Sequence, residues 1–394
     1  MKLPYHSYLT IVLAVTSYTC CSANDFSSIL KTIEANSSRL ENLRKQNIAD
    51  KAINKTMNSL EGPALETGYL WGNHSIGNRI DLSASQQFEF PTVYIQRHKL
   101  IRQLNNNADT RYLSQRQQYL LKAKQLCIQI LFCNALIHHL KKDKDDAQVV
   151  AASIKKQYDN GEATAIDYHK AEQSAVVFIN EYKQYQAMRQ SLLAELKQMN
   201  GNQDICVNDT LFLHTPLPSD FDTWLNSQVN AHPEYLLALG TLREKEQAFK
   251  VSKNQWLPHL NVGYASEKTR EEHYQGVKIG ISVPFWNARK RIKAHKQQVE
   301  AARLELDNTR QETITHLRNL YNEALNLQTT VANYTRTFSH YDNTPLLKKS
   351  LLYGQINIIT YLQEIHWGHD MREQQLQAEC ELEMKIAELT ATQL

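Results

Sequence analysis

Tyr158-Asp159-Asn160-Gly161-Glu162-Ala163-Thr164-Ala165-Ile166-Asp167-Tyr168 and Leu351-Leu352-Tyr353-Gly354-Gln355-Ile356-Asn357-Ile358-Ile359-Thr360-Tyr361 carry one pattern, Gly-x-x-x-x-Ile-x-Tyr, at an offset of 193 residues. A shared glycine alone would mean little, but the offset recurs: Pro91 lies 193 before Pro284. Further upstream, Pro63, Leu65, Gly68 and Tyr69 lie 195 before Pro258, Leu260, Gly263 and Tyr264. Three blocks in the same order across half the chain mark an internal duplication, which sets the fold before any single motif is weighed.

Working outward from the two glycine turns, each half has the same texture. The first half reads as a helix over about 26 to 60, two strands within about 64–90, a long helix over about 92–157, a turn at about 158–168, and a helix to about 199. Asn200-Gly201 stops that helix, and a linker at 204–223 with Pro216 and Pro218 follows. The second half (224–394) repeats this with strands at about 259–284, a long helix at about 286–350 and a turn at about 351–363. The first repeat thus spans 24–203.

Pro91 to Gly161 and Pro284 to Gly354 each cover 70 residues, so either helix could run about 100 Å. In the second, Ile292, Val299, Leu306, Thr313, Leu320, Leu327, Tyr334 and Tyr341 fall seven apart, the spacing of a coiled-coil seam. The first shows a weaker row, Leu113, Leu120 and Cys127. Pro345 predicts an irregularity near the second turn.

The strands alternate. Ile80, Leu82, Ala84, Phe88 and Phe90 oppose Asp81, Ser83, Ser85, Gln87 and Glu89, with Gln86 as the polar exception on the apolar side. Val277, Ile279, Ile281 and Val283 oppose Lys278, Gly280 and Ser282. Aromatic residues (Tyr69, Trp71, Phe88, Phe90, Trp256, Phe285, Trp286) gather at strand ends, as in interfacial girdles. An isolated hairpin of this kind would fit a soluble sheet. Two matched hairpins in an exported chain fit a membrane barrel with Ile80, Leu82, Phe88, Val277, Ile279 and Ile281 facing lipid. Four strands cannot close a barrel, so the chain would have to oligomerise, and three copies would supply twelve strands.

Export is read from Lys2, the apolar run Leu9 to Val15 and the small residues Cys21, Ser22 and Ala23, which form a signal peptide over 1–23. Lipid attachment at Cys20 or Cys21 is the alternative. A mean hydropathy of -0.52 and no later run of about 18 apolar residues argue against a polytopic helical membrane protein. A net charge of +3 is too small to suggest nucleic acid. The cysteines remaining after cleavage show neither metal nor disulfide spacing.

The duplication, the hairpins, the two glycine motifs, Asn230-Ala231-His232-Pro233-Glu234-Tyr235, Trp256-Leu257-Pro258-His259-Leu260 and Val283-Pro284-Phe285 together resemble the TolC-type outer-membrane efflux family. The fold class expected is mainly α with a β-barrel portion. The resemblance implies a homotrimer with a 12-stranded barrel in the outer membrane and a coiled-coil tunnel in the periplasm. It implies a passive exit duct for small molecules or ions, with a periplasmic adaptor and an inner-membrane pump as partners, and no cofactor or enzymatic activity. A coiled-coil scaffold or adhesion protein without a pore is the alternative.

In that family the glycine turns form the periplasmic entrance, which here assigns Tyr158, Gly161, Asp167, Gly354, Ile356, Ile358, Ile359, Thr360 and Gln363 to gating or selectivity. Asp167 matches an acidic entrance position and could form a negative ring across three copies, or serve as a helix-start charge. The second turn departs from the pattern: Thr360 and Gln363 replace acidic residues, and Leu351 replaces a tyrosine. A less cation-selective entrance closed by Ile356, Ile358 and Ile359 is expected.

His366 and His369 have i, i+3 spacing but no evident third ligand, so no metal site is assigned. His138-His139 diverge on a helix. Arg289, Lys290, Arg291, Lys293 and Lys296 follow the second hairpin, either as charges at the junction of barrel and tunnel or as a solvated helix start.

Overall fold

The computed structural model describes residues 26–73, 77–213, 216–283, 285–341 and 344–394. The expected signal peptide, Cys20, Cys21 and Pro284 lie outside the described residues. The elements are α1 (Ser27–Asn36), α2 (Ser38–Thr56), β1 (Ala64–Leu70), β2 (Arg79–Phe88), α3 (Pro91–Asp159) and α4 (Ala165–Met199), then α5 (Phe221–Ala231), α6 (Pro233–Asn254), β3 (His259–Lys268), β4 (His273–Ser282), α7 (Phe285–Tyr341), α8 (Thr344–Leu352), α9 (Ile358–Leu389) and a terminal 3-10 turn (Ala391–Gln393). The order α, α, β, β, long α, α thus occurs in the first half and again in the second, where α7 and the short α8 together take the place of the long helix.

Two boundaries differ from the sequence reading. The helix expected over 26 to 60 is two helices, because the Ser37 hydroxyl accepts the Leu40 N–H and starts a new helix there. The long helix expected over 286–350 is also two. A proline at 345 cannot donate to the carbonyl of Tyr341, the residue at which α7 ends. By contrast α3 runs 69 residues unbroken, with neither glycine nor proline after Pro91.

The chain divides into two compact units, one of Met1–Ala35, Leu126–Leu213 and Asn343–Leu376, the other of Asn36–Gln125, His214–Asp342 and Gln377–Leu394. In the first, Leu136, Leu140, Ala147 and Ala151 of α3 meet Ala171, Ala175 and Phe178 of α4 and Ile358, Leu362 and Leu376 of α9. Within each set the steps are three, four or multiples of seven, so each helix turns one apolar stripe inward. Phe178 is wholly buried.

One stretch of α3 has a mean hydropathy of 1.4 over 18 residues, enough by composition to cross a membrane. This corrects the expectation of no such run. Its apolarity goes largely into packing, for 56% of the stretch is buried, and Leu126, Cys127, Ile128, Ile130 and Leu131 are core residues.

In the second unit, α7 buries Thr313 and Leu320 of the expected seam together with Leu317, Ala324 and Val331, so the alternating four- and three-step spacing of a coiled coil is complete. They pack with Leu225 and Val229 of α5 and Leu382, Ile386 and Leu389 of α9. The row proposed for α3 fails at Leu113, which is 56% exposed. The buried row there is Val93, Leu100, Asn107 and Ser114. Two of its members are polar, which hides it from a hydrophobicity pattern, and Asn107 is satisfied by donating to Glu244 Oε2 at 2.8 Å.

The sheet also belongs to the second unit. Its order is β1-β2-β3-β4, antiparallel throughout, with β1 and β4 as open edges.

Candidate functional site

Register decides which side chains share a face of the sheet. Leu65 pairs with Ala84, Ala84 with Tyr264, and Tyr264 with Val277. Gln86 pairs with Val262 and Val262 with Ile279; Phe88 pairs with Leu260 and Leu260 with Ile281. Directly paired residues point the same way, so these rows build one apolar face. The other face carries Glu66, Asp81, Ser83, Ser85, Glu267 and Lys278, with Arg79 bonded to Asp81 at 2.7 Å and to Glu267 at 2.8 Å.

The apolar face is uncovered. Val277 and Ile279 are each 72% exposed and Ile281 70%, while Leu82 and Ile80 are about half exposed. Phe88 is half-buried. Among the described residues no element covers this apolar face, and an exposed apolar patch of this kind marks a surface that meets lipid or protein. Tyr69 and Trp71 contact edge to face at 5.6 Å beside it, and Trp71, Phe90 and Trp256 are exposed.

The two glycine turns are the second feature. Gly161 has φ +80° and Gly354 φ +66°, the left-handed region that favours glycine. Gly161 N–H donates to Tyr158 O at 3.0 Å and Glu162 N–H to Gln157 O at 2.7 Å. At the second turn Gly354 N–H donates to Leu351 O at 3.1 Å and Gln355 N–H to Ser350 O at 2.8 Å. Both are therefore the same helix-ending motif, with bonds in identical register.

The helices that follow start differently. Thr164 Oγ1 accepts the Asp167 N–H at 3.1 Å while Asp167 Oδ2 accepts the Thr164 N–H at 3.2 Å, a reciprocal capping box. At the equivalent place Asn357 Oδ1 accepts the Thr360 N–H at 2.8 Å, and nothing acidic returns the bond. Asp167 Oδ2 also accepts the Thr164 hydroxyl at 2.6 Å, so this oxygen is engaged within its own chain.

Tyr158 stacks on Tyr168 with ring centroids 5.4 Å apart, bracketing the first turn. At the second turn Ile358 and Tyr361 are buried in the chain's own core, with Leu351, Ile356 and Ile359 packed against them. Gln363 is exposed and Thr360 half-buried. Exposed large side chains at the turns include Tyr158, Ile166, Leu352 and Tyr353, the last three at 65%, 78% and 80%. The sequence reading assigned Tyr158 to the entrance and used Ile166 only to mark the repeat, and it gave Leu352 and Tyr353 no role. Helical phase relative to the buried Ile358 would have found Ile166 least, because it matches the buried-side Ile359 in the repeat.

His366 and His369 diverge: His366 Nε2 lies 2.9 Å from Ser174 Oγ and its ring stacks on Phe178, whereas His369 meets Phe178 edge-on. Among the described residues no group of three or more histidine, cysteine or acidic side chains is arranged to hold a metal. Cys127, Cys133, Cys206 and Cys380 are not joined in disulfides, and burial pushes Cys127 up to about 12 and Cys133 to about 11. Arg289, Lys290, Arg291, Lys293 and Lys296 are all exposed along the start of α7.

None of the protein-family models and none of the curated protein sequences compared matches the chain. Solved structures do. The outer-membrane channel OprN is 12% identical with a TM-score of 0.78, over 93% of this chain and 89% of that one. The Campylobacter jejuni CmeC outer membrane channel is 12% identical with a TM-score of 0.76, over 93% and 85%. The open-state MtrE outer membrane channel of Neisseria gonorrhoeae is 10% identical with a TM-score of 0.71, over 93% and 88%. The chain therefore has the fold of these channels across nearly its full length.

Proposed function

We propose that this chain is one subunit of a TolC-type outer-membrane exit duct, which passively conducts small molecules or ions outward from an inner-membrane pump. The observation that carries the reading is the sheet: one face apolar and open, one polar, with both edges unpaired. In lipid each unpaired backbone group costs several kcal/mol, so the edges must join those of other copies. Three chains give the twelve strands of a closed barrel, with Ile80, Leu82, Phe88, Val277, Ile279 and Ile281 toward lipid and the Arg79, Asp81 and Glu267 cluster toward a wet lumen. The likeness in fold to three outer-membrane channels supports the same assembly.

On this reading the glycine turns lie at the periplasmic entrance, where an adaptor protein would also dock. Tyr158, Gly161 and Asp167 shape one turn and Gly354, Ile356, Ile358, Ile359, Thr360 and Gln363 the other. Because Asp167 is held by its own cap and Thr360 is neutral, a ring of three Asp167 carboxylates would give a mild cation preference. The test is conductance of the purified protein in a planar bilayer, beside an Asp167→Asn variant. Stable pores whose cation preference falls in the variant are the expected result. Well-folded protein extractable by salt alone, without detergent, would instead indicate a scaffold with no pore.

A further inference from the structure

The apolar stripes of the first unit carry an ionisable side chain on each of three helices, and these three side chains meet. On α3, Asp143 stands between Leu140 and Ala147 of the inward row; on α4, Glu181 follows Phe178 by three; on α9, His369 stands seven after Leu362 and seven before Leu376. His369 is 5% exposed. Its Nδ1 lies 3.4 Å from Asp143 Oδ2 and its Nε2 lies 3.2 Å from Glu181 Oε2. The Phe178 ring stands perpendicular to it at 5.3 Å.

Both ring nitrogens therefore face carboxylates, and only the imidazolium has a proton for each. A neutral ring turns one lone pair toward a carboxylate oxygen in a site walled by apolar side chains, which is repulsive. Neither nitrogen has any other partner, and the contacts are at ion-pair distance without the alignment of full hydrogen bonds. The nearby cations are occupied elsewhere: Lys144 contacts Asp145 at 3.1 Å and Lys348 contacts Asp146 at 3.2 Å.

We propose that Asp143, His369 and Glu181 form a proton-operated clasp that ties α9 to α3 and α4 in acid and loosens α9 as pH rises. The other titratable groups around it come from the same helices. On α9, Glu373 is bonded to the Tyr185 hydroxyl of α4, and Asp370 and His366 flank the ring; on α3, His139 lies one turn before Asp143. Burial alone would pull His369 down, but Asp143 and Glu181 outweigh it and hold the ring above its ordinary value. Burial holds Glu181 above the usual carboxylate range. Burial holds His366 below its ordinary value, so it is neutral where His369 is charged.

The direction follows from these shifts. A histidine raised in the folded state contributes its full stabilisation below its unfolded value, about 6.5, and loses it as pH climbs through the folded value. Burial raises Glu181 as well, and a raised carboxyl likewise loses its stabilisation as pH climbs through its folded value.

The experiment is hydrogen exchange of the full-length protein in detergent between pH 5.5 and 8.5, corrected for intrinsic rates and read in the peptides covering 134–148, 174–186 and 358–376. The opening constant of these segments should rise about tenfold for each unit separating the folded and unfolded values of His369. His369→Gln should abolish the rise, and Glu181→Gln should shift it to lower pH. If His369→Gln fails to fold, the Glu181→Gln shift decides alone. A pH-independent wild type, or the same rise in both variants, overturns the clasp. Loss of the rise on adding EDTA also overturns it, because the site would then be operated by a metal. The readout is independent of pore formation, so it stands or falls apart from the duct reading.

Discussion

The first half of the chain crosses from Pro91 to its turn on one unbroken 69-residue helix, whereas the second covers the same distance with α7 and the short α8. The turns then share their backbone bonds and differ in their side chains. In the first, Tyr158 and Tyr168 stack at half-exposed positions and Asp167 closes a capping box; in the second, Leu351 and Tyr361 pack into the core and Asn357 caps alone. Duplication thus preserved the geometry that the backbone requires and let the chemistry diverge. The same is seen in the sheet, where Ile279 of the second half corresponds, 193 residues on, to Gln86 of the first and shares its row across the sheet.

The largest effect that would separate the halves is in the helical core. Phe178→Ala should cost about 3 to 5 kcal/mol, because the ring is fully buried between α4 and α9. Its counterpart Met371 is half-buried, so Met371→Ala should cost less. Urea midpoints of the two variants, measured side by side in detergent, give the comparison, and equal losses would mean that the two halves are packed alike.

Next comes the sheet. Ile279→Arg should block membrane insertion or trimer assembly, at about 2 to 4 kcal/mol per chain for a site at mid-depth in lipid. Gln86→Arg in the same row starts from a polar side chain that already donates to Glu61 O at 2.7 Å, and should be milder. Unimpaired assembly of the Ile279→Arg protein would remove the barrel from the account.

The smallest effect lies at the helix starts. Asp167→Ala should lower stability by about 1 kcal/mol through loss of the reciprocal cap, while Thr360→Ala should leave it nearly unchanged. Thermal unfolding resolves the two. Equal shifts would show that the capping box contributes nothing beyond the single Asn357-type cap.

The parts legible from sequence were those whose signal is local. A glycine followed five residues later by isoleucine marks a turn because the left-handed backbone favours that one residue. Period-two alternation over 80–90 and 277–283 gives the sheet face because successive side chains must oppose each other. The α3 seam was misread at Leu113 because its true members include the polar Asn107 and Ser114, and Asn107 is met by Glu244 of α6, far along the chain. Ile358 at the second turn is buried in the chain's own core, with Ile356 and Ile359 half-buried against it, a placement that depends on α3 and α4 and cannot be read from the turn alone.

By itself, then, the sequence determined the duplication, the two turns, the unbroken run of α3 and the two-faced strands, since each is a property of residues within a few positions of one another or of an exact spacing. Tertiary structure decided which polar residues are buried and what meets them. His369 and Asp143 are 226 residues apart, and Glu181 lies on a third helix. A charge placed in an apolar stripe reads from the sequence as an interruption, and only the packing of three helices brings the three interruptions within ion-pair distance.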